Sequence, residues 1–116
     1  VDVKKLKETM WLEVQPRDEK VGVLKFKIRP MPLDFSVKLE DRENSEEVID
    51  LVGELIEDWN LEDGGEKLPC TPENKKKYLR FVTRIKAKTL EDEPKVVLVG
   101  RRIVDFARDV ENFLGN

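Results

Sequence analysis

Cys70 is the only thiol in this chain of 116 residues, and it stands in a turn just ahead of a helical segment. A thiol becomes a nucleophile when a base or a cation beside it holds it as the thiolate. The sequence offers no such base, because histidine is absent. That absence removes Ser-His-Asp and Cys-His hydrolysis, histidine-based zinc sites and the usual general base near neutral pH. Lysine and carboxylate chemistry remains open in principle. Yet no Gly-rich phosphate loop and no metal-ligand spacing gathers such groups together. The expectation is therefore a protein with no catalytic residues, no metal and no cofactor, in which Cys70 fills a loop. A lone cysteine cannot close an intramolecular disulfide, which fits a reducing cytoplasm.

The chemistry that remains is recognition by charge and by aromatic rings. Between Glu40 and Asp63 there are eleven acidic residues against one basic, whereas from Lys67 to Arg102 eleven basic residues face four acidic ones. A chain polarised in this way is suited to steering partners of opposite sign. Lys76, Arg80 and Arg84 recur four apart with Lys77 beside them, so they are the candidate cationic contact, although a solvated helix face would look the same. Trp11 is the candidate aromatic anchor, since it alternates away from Leu12 and Val14. Tyr78 and Phe81 interleave with the cations, but their helical spacing assigns them to the core. Single-strand binders need exposed aromatics, no nucleic-acid motif is present, and the net charge is −3, so nucleic acid is not the expected partner.

These residues have to be held by a small set of elements. The length suits one domain, spanning residues 1–116, with one core. Met10 to Gln15 and Lys20 to Arg29 alternate apolar and polar residues across a turn at Pro16–Glu19, which predicts an antiparallel hairpin. Leu33, Phe35, Val37 and Leu39 alternate like a strand, while Phe35 and Leu39 also sit four apart as in a helix; of the two readings for Leu33 to Asp41, the short helix that Asp34 could cap is preferred. Val48, Leu51, Val52, Leu55, Ile56 and Trp59 recur at helical spacing behind an Asn44–Glu47 capping box, which predicts a helix closed by Trp59. Thr71 and Pro72 start another helix, with Tyr78, Phe81, Val82 and Ile85 as its inner face. Leu90 to Lys95 is a loop, and Val96 to Val99 fits either a short strand or the start of a helix. Ile103, Phe106, Ala107, Val110, Phe113 and Leu114 predict a last helix ending at Gly115. The fold class is α+β, an N-terminal hairpin or small sheet on three to four helices.

The stretch Trp59-Asn60-Leu61-Glu62-Asp63-Gly64-Gly65-Glu66-Lys67-Leu68-Pro69-Cys70-Thr71-Pro72-Glu73-Asn74 resembles a pattern, W-N-L-x-D-x-G-x-x-L-P-x-T-x-E-N, found in the small tail assembly chaperones of long-tailed bacteriophages. The likeness runs from Ser45 to Thr89, and the chain departs from it in the doubled glycine at Gly64 and Gly65. It implies a role in phage or prophage tail morphogenesis. Such chaperones bind the tape measure protein, recruit tail tube subunits and leave before the virion is complete. They are often made in two lengths by a translational frameshift, and this chain would suit the shorter one.

Other features bound where the protein works. No apolar run is long enough to cross a membrane, and the first residues carry no signal-peptide pattern, so the host cytoplasm is the expected location. Lys and Glu dominate over one Gln and five Asn, a balance typical of proteins from hot environments. Another small phage tail protein, or a non-viral adaptor acting through the same surfaces, is the alternative reading.

Overall fold

The computed structural model describes residues 4, 6–35, 45–93 and 96–114. The hairpin forms as its alternation predicts, from β1 (Met10–Val14) and β2 (Leu24–Ile28), with Met10 opposite Ile28 and Val14 opposite Leu24. Val14, Leu24, Phe26 and Ile28 are buried on one face. Trp11, Glu13, Lys25 and Lys27 are left on the other, Trp11 directly across from Lys27.

The first departure from the sequence reading comes at Ile56. Helix α1 (Ser45–Leu55) stops one residue earlier, and β3 (Ile56–Trp59) follows with no linker and pairs antiparallel with β2. Trp59 therefore closes a strand rather than a helix. Ile56 pairs with Ile28 and Trp59 with Phe26, so β3 spends two intervening residues where β2 spends only Lys27. That extra residue is a β-bulge. Strict alternation would send residues 56 and 59 to opposite faces. With the bulge both point inward, each 1 % exposed. Their spacing of three, which mimics a helix, is the signature of the bulge.

A two-stranded hairpin follows, β4 (Glu62–Asp63) with β5 (Glu66–Lys67). Its two turn residues, Gly64 and Gly65, have φ of +60° and +88°. That is the requirement of a type I′ turn, and it explains the doubled glycine. Helix α2 (Pro72–Val82) packs on α1, and β6 (Lys86–Ala87) pairs with β7 (Val97–Leu98). Val99 then opens α3 (Val99–Arg108), so the segment 96–99 supplies both the strand and the helix start. The start of α3 is fastened to the end of α2: Val99 N–H donates to the Ile85 carbonyl at 2.8 Å and Gly100 N–H to that of Thr83 at 3.0 Å. A Cβ at Gly100 would lie 3.0 Å from Thr83 Cβ and 3.2 Å from Thr83 O, so the close approach depends on glycine.

Helix α3 lies against β1 and β2, burying Ile103 and Ala107. It ends at Arg108, short of the predicted end, and a 3₁₀ turn at Val110–Phe113 replaces the final helical turn. The Asp109 carboxylate accepts the Glu111 N–H at 3.0 Å and starts that turn. Phe113 is thereby placed in the core, edge-on to Phe106 at 5.6 Å. Residues 33–35 are helical, and the rest of the predicted Leu33–Asp41 helix lies outside the described residues, as do Asn44 of the capping box, Pro94 and Lys95 of the loop, and Gly115. The fold is α+β, and no helix among the described residues is long and apolar enough to cross a membrane.

Candidate functional site

The residues of the Trp59–Asn74 stretch form a clip, and almost every one has a structural task. Trp59 is buried on the inner sheet face, and its Nε1–H donates to the Leu68 carbonyl at 2.7 Å. The Asn60 side chain extends the β2 ladder, accepting from Lys25 N–H at 2.8 Å and donating to the Val23 carbonyl at 2.9 Å. Leu68 N–H returns to the Leu61 carbonyl at 2.8 Å. Thr71 Oγ1 caps α2 by accepting the Asn74 N–H at 3.2 Å, and Asn74 Nδ2 donates to the Pro69 carbonyl at 2.8 Å. The clip closes the β4–β5 excursion and fixes how α2 leaves the sheet. Its pattern is one of folding, not of chemistry.

Two groups in or beside it have shifted titration. Partial burial works to raise the Asp58 carboxyl, but the Trp59 N–H at 2.9 Å and Lys67 at 3.1 Å outweigh it and leave the group below its usual range. Burial pushes the Cys70 thiol up, against the pull of Lys75. That shift disfavours the thiolate, the form a nucleophile needs.

Helix α2 carries the main correction to the sequence reading. Its core residue is Leu79, fully buried, with Val82 beside it. Phe81, assigned to the core by its spacing, is 65 % exposed, and Tyr78 and Ile85 are only half-buried. The apolar stripe faces a groove of about 470 Å³ that it shares with Val21 and Val23 from the hairpin connection and Leu61 and Leu68 from the clip. Glu62 and Asp63 line the same groove on the clip side. On the helix side, Lys77 lies over the Tyr78 ring at 5.2 Å, and Arg84 follows in the turn whose N–H reaches the Phe81 carbonyl. The result is an apolar trough with Glu62 and Asp63 on one wall and Lys77 held over Tyr78 on the other.

The predicted basic stripe does not hold together as one array. Lys76, Lys77 and Arg84 are exposed, but Arg84 lies beyond the end of α2. Arg80 turns toward α1, where its guanidinium stands 3.6 Å from Glu46. Its Nε is buried with no hydrogen-bond partner among the described residues. This contact joins the basic face of α2 to the acidic first turn of α1 along one edge. Trp11 lies on a separate surface. It is 49 % exposed on the outer sheet face, beside a shallow depression lined by Glu13, Lys25, Asp58 and Lys67. The sequence reading assigns Tyr78, Val82 and Ile85 alike to the core; Val82 is buried, whereas Tyr78 and Ile85 are half-buried and open on the groove.

No group of three or more metal-ligating side chains occurs among the described residues. No protein-family model matches the chain, and neither a curated protein nor a solved structure is found to be similar to it.

Proposed function

We propose that the protein works by binding other proteins, with no chemistry of its own, and that it serves as a tail assembly chaperone for tape measure and tail tube proteins of a phage or prophage. The observation that carries the binding reading is the α2 groove. Tyr78, Ile85, Val21 and Val23 line one apolar trough with Glu62 and Asp63, and the ring of Phe81 stands exposed on the same helix outside that lining. Exposed apolar patches rimmed by polar groups mark interaction sites. Opposed charges on the two walls orient an incoming segment and speed its encounter, while the apolar floor supplies affinity. Such contacts are reversible, which suits a factor released before its product is complete. The place in tail assembly rests on the resemblance of the clip, whose residues define the scaffold beneath this groove.

Nucleic acid is the second reading, favoured by one finding: Phe81 is exposed next to Lys77 and Arg84, where a base could stack. Glu62 and Asp63 on the facing wall would repel a phosphate chain, so protein is the better-matched occupant.

The test is direct binding to phage tail tube and tape measure proteins, with single-stranded DNA as the competing ligand. Saturable binding to either protein, lost in Phe81→Ser, is the expected result. Retention on nucleic acid that depends on Phe81 and weakens steeply with salt would instead favour the second reading. Binding to neither class would overturn both.

A further inference from the structure

The two outer edges of the three-stranded sheet are treated differently by the fold. At β3 the edge carries the bulge, and the Asp58 carboxylate accepts the Trp59 N–H at 2.9 Å, occupying a donor that an incoming strand would need. Bulges and inward-turned charges are the usual guards against edge pairing. At β1 the ladder can be read residue by residue. Lys25 exchanges hydrogen bonds with Asn60, and Arg29 N–H reaches Leu55, so the odd residues of β2 direct their main-chain groups at β3. The even residues Leu24, Phe26 and Ile28 therefore face β1, where they pair with Val14, Leu12 and Met10. Trp11 and Glu13, between these, direct their N–H and C=O groups at the open edge. Gln15 follows the same parity, and its carbonyl accepts the Lys88 N–H at 2.7 Å, with Arg17 N–H donating to Lys86 at 2.8 Å. Beside Gln15–Arg17 the edge is thus closed by β6, whereas at Trp11 and Glu13 no main-chain partner occurs among the described residues.

We propose that this open stretch of β1 takes an extended segment of another protein as a fourth strand, with Trp11 as the side-chain anchor. Four main-chain groups, two donors and two acceptors, are set at strand spacing and can be satisfied together only by extended backbone. The side chains set the segment's chemistry. An apolar residue opposite Leu12 completes the half-buried inner edge, a ring or branched residue opposite Trp11 packs on the indole, and a cation opposite Glu13 matches its charge. A second copy fits poorly: in a symmetric β1 pair, residues 7–9 of that copy would run into the place β6 holds beside Gln15–Arg17. This surface is distinct from the α2 groove, so either can fail without the other.

The probe is a peptide, acetyl-Val-Lys-Val-Tyr-Val-Thr with a fluorophore at its C-terminus, titrated against the whole protein by anisotropy, alongside two N-methylated forms. Methylating the Lys and Tyr amides, which would face β1, should weaken binding about tenfold or more, whereas methylating the flanking Val amides should change it little. Glu13→Pro should weaken binding to the same extent and still fold, because the N–H it removes points away from β2. In the free protein, the Trp11 and Glu13 amides should exchange with solvent far faster than those of Leu12 and Val14, and slow on peptide addition. Equal binding by both N-methylated peptides, no binding by the parent, or slow Trp11 and Glu13 exchange in the free protein would each overturn the proposal. So would a concentration-dependent doubling of mass abolished by Glu13→Pro, since the edge would then belong to a second copy.

Discussion

The clip at Trp59–Asn74 and the apolar face of α2 adjoin in sequence and differ in what holds their side chains. In the clip, Trp59, Asn60 and Asn74 each end in a defined hydrogen bond, and the Trp59 ring is sealed in the core. On α2, Tyr78 turns its ring toward an open trough and Phe81 leaves its own exposed to solvent. A ring with a satisfied polar handle and full burial stabilises the fold, whereas a ring left on a charged rim contributes little until something covers it. Aromatic spacing alone does not distinguish the two.

The largest contrast is expected from Trp59→Ala, which should lower stability by roughly 3–5 kcal/mol through loss of the buried indole. Chemical denaturation measures it. A change below about 1 kcal/mol would mean that the ring is not the keystone of the clip.

Gly100→Ala should come next, at about 1–3 kcal/mol, because its Cβ meets the Thr83 carbonyl, which is backbone and cannot swing aside. A thermal midpoint equal to that of the parent would show that α2 and α3 approach one another less tightly than described here.

Acid should loosen the clip before it touches the groove. The Asp58 carboxyl lies below its ordinary range, held down by Trp59 N–H and Lys67 against the opposing effect of burial. The Arg102 hydrogen bond lowers Glu93, which ties the 90–93 turn to α3. A carboxyl depressed in the folded state stabilises above its unfolded pKa of about 4, and this contribution is lost as pH falls through the folded value. Stability should therefore decline below about pH 4, and Asp58→Asn should flatten part of that decline. An identical acid profile in the Asn variant would remove Asp58 from the explanation.

Charge reversal at the rim should have the smallest effect on folding. Lys77→Glu with Arg84→Glu should shift stability by only a few tenths of a kcal/mol while slowing partner association several-fold at low salt. The slowing should fade as the Debye length shortens to ~8 Å. An on-rate unchanged at every salt concentration would leave these residues as a solvated face. Arg80 is excluded from this pair because Glu in its place would confront Glu46 across the α1–α2 edge.

Much of this architecture was legible in the sequence, and the misses share one cause. The β1–β2 alternation, the Thr71–Pro72 helix start and the outward placement of Trp11 follow from local rules of period and capping. The α1-to-β3 switch does not, because a bulge gives Ile56 and Trp59 a spacing of three and local pattern cannot separate that from a helical turn. The paired strands β6 and β7 are two residues each, too short to alternate visibly. The face of α2 depends on which neighbours arrive: α1 covers Leu79, and only the shallow trough lies beside Tyr78 and Ile85. The cationic positions Lys76, Lys77 and Arg84 were legible as exposed, whereas the diversion of Arg80 to Glu46 required knowing how two helices cross.

The claim that α2 presents a binding face rather than core is tested most directly by the denaturation midpoint of Phe81→Ser. A ring 65 % exposed should be replaceable at a cost within about 0.5 kcal/mol, with the folded spectrum unchanged. A loss of 3 kcal/mol or more, the scale of a buried phenylalanine, would place Phe81 in the core after all and remove the exposed apolar face of α2 from the account.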